Sequence, residues 1–458
     1  MTPFSWLQIV RVGLVQAALG AMVVLTTSTL NRVMVVELTL PALLPGFLVA
    51  IHYLVQIARP RMGFGSDVGG RRTPWIVGGV AVLAIGGVLA SIATAWMGSN
   101  RASGIALAVF AFCLIGLGVS ASGTSLLVML AKRVPEGRRA AAATIVWMMM
   151  IFGFAVTSGL AGKLLDPYSP IRLVWVTAGV CCAAFLMAIL AIYRLEGHEN
   201  QQGDSHQDSE EQRLDFRQAL AQVWAEPAAR QFTIFVFVSM LAYSAQDLIL
   251  EPFVGTVFGF TPGQSTSLSG IQHGGVLAGM ILVALAGLMG ARWSDKRGLR
   301  HIGSLRGWTV GGCIASAIAL ASLGAAGFVG PGWPIKATVF ALGVANGAFS
   351  IGAISSMMRL AHQGRERRSG VRMGLWGAAQ AVAFGLGGLV GTAASDMARW
   401  LIAAPGAAYA SVFCFEAALF VLSALLAWRI GNPAEREESR TQSRSLSFSV
   451  AGNASHSR

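Results

Sequence analysis

Gly63-Phe64-Gly65-Ser66-Asp67-Val68-Gly69-Gly70-Arg71-Arg72 and Ala291-Arg292-Trp293-Ser294-Asp295-Lys296-Arg297-Gly298-Leu299-Arg300 are two versions of one loop, 228 positions apart. A second echo, at an offset of 230, pairs Val109-Phe110-Ala111 with Val339-Phe340-Ala341, Ala131 with Ala361, and Arg138 with Arg368. Two separate echoes at nearly one offset mark a chain whose halves are duplicated. Glycines permit the tight turn. Asp67 and Asp295 are placed to cap a helix end or to pair with arginines of a neighbouring helix, latching one face of the molecule. The plainer alternative is a basic turn that only obeys topology.

The segments around these loops are apolar. Of 458 residues, 54% are hydrophobic and only 12% charged, and the mean hydropathy is +0.62. A soluble chain of this length cannot cover so much apolar surface, so lipid must. Twelve runs approach the ~20 residues that a spanning helix needs. They fall at about 12–30, 40–59, 74–97, 103–130, 140–162 and 171–193, then 231–258, 268–290, 301–326, 333–358, 371–395 and 406–429. The expected fold is an all-α polytopic membrane protein of two six-helix bundles, 1–193 and 231–430. A cytoplasmic linker at 194–230 joins them, with Phe216, Leu220, Val223 and Trp224 on one face of a short amphipathic surface helix. A disordered cytoplasmic tail follows at 431–458.

The formal net charge is +13, and its placement reports topology. Arg61, Arg71 and Arg72, Lys132 to Arg139, Arg292 to Arg300, and Arg365 to Arg372 sit in alternate loops, as the positive-inside pattern requires. Both termini are therefore expected in the cytoplasm, in a bacterial inner membrane. No nucleic-acid recognition module is present. The five cysteines (Cys113, Cys181, Cys182, Cys313, Cys414) lie in apolar runs without metal spacing and read as packing residues. No cleavable signal is visible at the start. No nucleophile–base set or phosphate loop points to an enzyme.

Ionisable groups within the bilayer are costly and tend to be functional. Spans 1, 4 and 10 would line a transporter cavity, and they hold no carboxylate. They offer Gln16, Thr26, Thr27, Ser120, Ser122, Thr124, Asn346 and Ser350. The acids gather elsewhere: Asp247 and Glu251 share a helical face in span 7, beside Gln246 and toward the periplasmic end. Asn31, Arg32 and Glu37 mark the same end of span 1. Two readings are open for this group: an ion pair of Arg32 with Asp247 or Glu251, or a polar rim that gates or holds a ligand head group. His52 and Gln56 share a face of span 2, and His273 stands near the outer end of span 8. A hydrogen-bonded packing role competes with metal ligation for both histidines. Gly275/Gly279 and Gly387/Gly391 are small-residue pairs that let helices approach closely.

The loop repeat resembles the signature of the major facilitator superfamily, in which it acts as a conformational gate. Gly63, Asp67, Gly70, Arg71 and Arg72, with Asp295, Lys296, Gly298 and Arg300, are the matching positions. Val68 stands where the second copy has the usual base, Lys296, so the first latch is expected to be weaker. Within the superfamily the chain resembles the PucC/LhaA, or bacteriochlorophyll delivery, family. The resemblance rests on Leu30-Asn31-Arg32-Val33-Met34 to Glu37-Leu38, His52-Tyr53, and Arg59-Pro60-Arg61-Met62-Gly63. Gln246-Asp247-Leu248-Ile249-Leu250-Glu251-Pro252, Thr261 to Thr266 and His273-Gly274-Gly275 carry it in the second half.

That resemblance implies assembly of photosynthetic antenna complexes. The chain would bind bacteriochlorophyll as cargo, with no covalent cofactor, and deliver it to light-harvesting alpha/beta polypeptides. Bacteriochlorophyll synthase, the membrane-insertion machinery and membrane lipids would be its partners. His52, Gln56, Asn31 and His273 are then candidate ligands for the chlorin magnesium. Two alternatives are an ion-coupled secondary transporter of a small metabolite or drug, and a pigment-free assembly scaffold for antenna polypeptides.

Overall fold

A chain segment in hydrocarbon has no water for its peptide groups, so helix is the local solution that pairs them within the segment. The computed structural model describes residues 4–58, 72–196, 224–292, 305–362 and 369–430, and no strand occurs among them. The first half holds α1 (Trp6–Glu37), α2 (Leu43–Val55), α3 (Thr73–Met97), α4 (Arg101–Arg133), α5 (Glu136–Leu165) and α6 (Pro170–Ile192). The second holds α7 (Pro227–Phe258), α8 (Pro262–Arg292), α9 (Leu305–Val329), α10 (Ile335–His362), α11 (Ser369–Leu401) and α12 (Pro405–Arg429). Eleven are long and apolar enough to cross a membrane, and α2 is a shorter apolar helix continued by a 3₁₀ turn at Gln56–Ala58.

Each half closes around its own apolar core. Leu48, Val80, Leu83, Phe112 and Ile115 belong to the first; Phe235, Phe253, Leu320, Phe349 and Phe420 belong to the second. Close approach within the second core depends on missing side chains. A Cβ on Gly279 would stand 2.1 Å from the Val344 carbonyl oxygen of α10, and one on Gly387 would stand 2.5 Å from the Leu241 carbonyl of α7.

Several helices run past the apolar runs that announce them, because caps rather than hydropathy set their ends. Ser5 and Gln8 form a capping box that starts α1 at Trp6 instead of residue 12. The Asn100 side chain accepts from Ser103 N–H to start α4, and the Ser169 side chain accepts from Arg172 N–H to start α6. The α2 helix is shorter than its apolar run: Thr39 takes a positive φ of 50° and the helix opens only at Leu43.

The twelve helices alternate in direction, so the C-terminal ends of α2, α4, α8 and α10 share one end of the molecule, called proximal below; the other end is distal. The motif residues Gly63, Asp67, Gly70 and Arg71, and Asp295, Lys296, Gly298 and Arg300, lie outside the described residues. So do positions 197–223 of the linker and the whole tail at 431–458. Arg72 is described. Glu196, beyond α6, accepts from the backbone N–H of Arg72 at 2.5 Å and from the N–H and hydroxyl of Thr73 at 2.8 and 2.6 Å. A carboxylate is well placed at a helix N-terminus, and this one ties the start of α3 to the end of α6. Burial works to raise its pKa. The hydrogen bonds from Thr73 and Arg72, with the Arg72 charge, outweigh that and hold the carboxyl below its ordinary value.

Candidate functional site

A polar seam joins the halves at the distal end, where α1 meets α7 and α8. Two π-turns, Leu25–Thr29 and Val33–Glu37, flank the single turn Leu30–Arg32 of α1. Such widened turns recur at functional sites because they re-aim side chains. Here Ser28, Thr29, Asn31 and Arg32 are all buried and all reach the opposite half. Ser28 Oγ donates to Glu251 Oε1 of α7, and Ser269 Oγ of α8 reaches the same oxygen at 2.5 Å. The Thr29 and Thr266 hydroxyls meet at 3.1 Å.

Asn31 answers a need created by Pro252. Proline lacks an N–H, so inside α7 it leaves the carbonyl four residues earlier, that of Leu248, without its helical donor. The Asn31 amide donates to that carbonyl at 2.6 Å.

Arg32 departs from the expected ion pair with Asp247 or Glu251. Its Nη1 pairs with Glu37 of its own helix at 2.5 Å, and Nη2 donates to the Phe260 carbonyl of the opposite half at 2.5 Å. The π-turn at Val33–Glu37 brings Glu37 within reach. The two serines, rather than the guanidinium, supply the hydrogen bonds to Glu251.

Asp247 and Gln246 sit deeper than a rim. Asp247 lies eleven residues before Phe258, the end of α7, or about 16 Å along the axis. It is half-buried and accepts from the Gln272 amide at 3.3 Å. Gln246 is fully buried and accepts from Asn346 Nδ2 at 3.1 Å, while the Ser316 hydroxyl donates to Asn346 Oδ1 at 2.8 Å. A polar layer thus crosses the second bundle from α7 through α10 to α9. Glu416 of α12 adds a carboxyl near Asp247, buried completely, with no hydrogen-bond partner for either oxygen among the described residues. Sequence reasoning passed over Glu416. A lone acid between Phe415 and Ala417 in an apolar run was its signal.

The two histidines are positioned differently. Gln56 Nε2 lies 2.9 Å from His52 Nε2; an amide nitrogen can only donate, so that ring nitrogen is its acceptor. His52 backs onto α4, where its carbonyl oxygen would stand 2.6 Å from a Cβ on Gly116. His273 donates through Nδ1 to the Ser269 carbonyl at 2.8 Å, which makes Nε2 the acceptor of its ring. Its ring packs edge-on against Phe154 of α5, centroids 5.0 Å apart, so it lies between the halves. An imidazole anchored through one nitrogen to a backbone carbonyl has the orientation that metal-ligating histidines adopt. Among the described residues, no three His, Cys, Asp or Glu side chains cluster as a metal site.

A protein-family model described as PUCC protein matches residues 29–434. The bacteriochlorophyll synthase 44.5 kDa chain of Rhodobacter capsulatus is 51% identical over 423 residues, covering 92% of this chain and 95% of that relative. Protein PucC of Cereibacter sphaeroides is 28% identical over 439 residues, covering 92% and 91%. Among solved structures, a D-xylose-proton symporter matches with a TM-score of 0.67 at 16% identity, over 93% of this chain and 97% of that one. A structure from a study of proton dependent oligopeptide transporters matches with a TM-score of 0.64 at 13% identity, over 93% and 98%. At such identities the likeness shows the fold alone, that of the major facilitator transporters.

Proposed function

Because this chain belongs to the PucC family, we propose that it is an antenna assembly factor that binds bacteriochlorophyll and hands it to light-harvesting alpha and beta polypeptides within the membrane. The observation that carries this reading is the family match across 29–434, joined to a 51% identical relative named for bacteriochlorophyll. The interior supports it. His273 holds an anchored imidazole between the halves, suited to the axial position of a chlorin magnesium. His52 is the weaker candidate, since its Nε2 already accepts from Gln56. We place the protein in the bacterial inner membrane with both termini on the Arg-bearing, cytoplasmic side. Antenna polypeptides, bacteriochlorophyll synthase and the insertion machinery are its expected partners. In this reading it is a carrier and not a catalyst.

An ion-coupled transporter is the second reading, and Asp247 and Glu416 favour it. Both lie in the second bundle, Asp247 half-buried and Glu416 fully buried, where membrane proteins place proton-handling acids.

The experiment is an absorption spectrum of the gently solubilised protein from a bacteriochlorophyll-making host, alongside antenna assembly and pigment synthesis in a deletion strain. Co-isolated pigment, with antenna lost while pigment is still made, supports delivery. Loss of pigment synthesis itself would point to catalysis. Colourless protein with normal antenna in the deletion strain would overturn the proposal, and colourless protein with lost antenna would favour a pigment-free scaffold.

A further inference from the structure

Beyond the α1 seam, two aspartates bridge the halves in matching ways. Asp396, in the last turns of α11, accepts from the N–H groups of Ala42 and Leu43 at 2.9 and 2.8 Å, at the start of α2. Asp166, directly after α5, accepts from the Thr261 hydroxyl at 2.8 Å and the Gly263 N–H at 3.3 Å, at the start of α8. One bridge runs from the second half to the first, and the other from the first to the second. Asp396 follows Asp166 by 230 positions, as Val339 follows Val109 and Arg368 follows Arg138. The two aspartates are therefore equivalents in the duplicated chain.

Their placement is unfavourable within their own helices. An anion at a helix C-terminus faces the negative end of the macrodipole. At the N-terminus of the opposing helix it meets unpaired N–H donors and the positive end. The opposing chain is also shaped for the contact: a Cβ on Gly263 would lie 2.5 Å from the Asp166 carboxyl, and one on Gly46 would lie 2.1 Å from Thr392 Oγ1, one turn before Asp396.

We propose that Asp166 and Asp396 are a symmetric pair of releasable pins that hold the distal end shut. Each caps a helix of the other half, so parting the halves at this end strips first-turn donors of α2 and α8 of their acceptors together. The pins are distinct from the loop repeat of the sequence, and they act whichever cargo the protein handles.

The test is a spin-label distance measurement on the full-length protein in nanodiscs, with the native cysteines replaced and labels at Arg101→Cys and Lys336→Cys. These exposed positions start α4 and lie in the first turn of α10, both at the distal end, one in each half. The parent should give one short distance population. Asp166→Ala with Asp396→Ala should add a longer population, and the paired Asn variants, which keep one acceptor oxygen at each cap, should add less of it. An unchanged distribution in a double Ala variant with native helix content would overturn the proposal. If that variant does not fold, each single Ala variant should show a smaller longer-distance population, and its absence from both would overturn the proposal equally.

Discussion

The Asn31 amide donates to the Leu248 carbonyl that Pro252 leaves without a helical donor, so a side chain of one half completes the backbone of the other. Losing it would leave a buried carbonyl unsatisfied, a cost of about 1–3 kcal/mol. Asn31→Ala should therefore lower the thermal stability of the solubilised protein by that amount. In Pro252→Ala the residue-252 N–H returns to Leu248, and Asn31→Ala should then cost much less. A double-mutant cycle reads the coupling; strict additivity would show that the two residues act independently.

Arg32 is 2% exposed and its partner Glu37 is 34% exposed, and this asymmetry gives an ordered pair of effects. Glu37→Ala leaves a buried guanidinium without its counter-charge and should cost about 3–5 kcal/mol. Arg32→Met removes the buried charge, keeps most of the volume and leaves Glu37 able to hydrate, so it should cost less. Thermal unfolding of the two variants checks the order.

Helix contact in the second bundle should follow the glycine geometry. Gly279→Ala drives a methyl into the Val344 carbonyl of α10 and should destabilise by about 1–3 kcal/mol through overpacking. Gly287→Ala, on the same helix, meets nothing within 4 Å and should be neutral or mildly stabilising.

Glu196 ties stability to acid. Its folded-state pKa is depressed, so its contribution is complete above the ordinary glutamate value of about 4.3. It is lost as the pH falls through the lower folded value. Wild-type unfolding temperature should drop below that range, and Glu196→Gln should start lower at neutral pH and drop less.

How much of this was legible beforehand follows from which signals are local. Apolar runs and alternate arginine loops announce a twelve-helix duplicated membrane protein, because lipid imposes length and charge side directly. The polar seam was visible as residue types: Asn31, Arg32, Glu251 and their neighbours stand out in apolar surroundings. Partners were not legible. Arg32 turned to Glu37 because π-turns, which no periodicity announces, reshape α1. Asn31 found its role through a proline in another helix. Asp166 and Asp396 drew no notice in the sequence, since only the fold sets each against a helix start of the opposite half. Glu416 went unread, and for Asp247 the sequence left two readings open, an ion pair with Arg32 or a polar rim, because its distance along span 7 does not reveal its partner, the Gln272 amide.

The most direct measurement of the central claim is a titration of the purified, pigment-free protein with bacteriochlorophyll, following the pigment's absorption and fluorescence. The account predicts saturable binding that weakens about tenfold or more in His273→Ala and stays near the parent value in His52→Ala. No saturable binding, or binding untouched by His273→Ala, would contradict it.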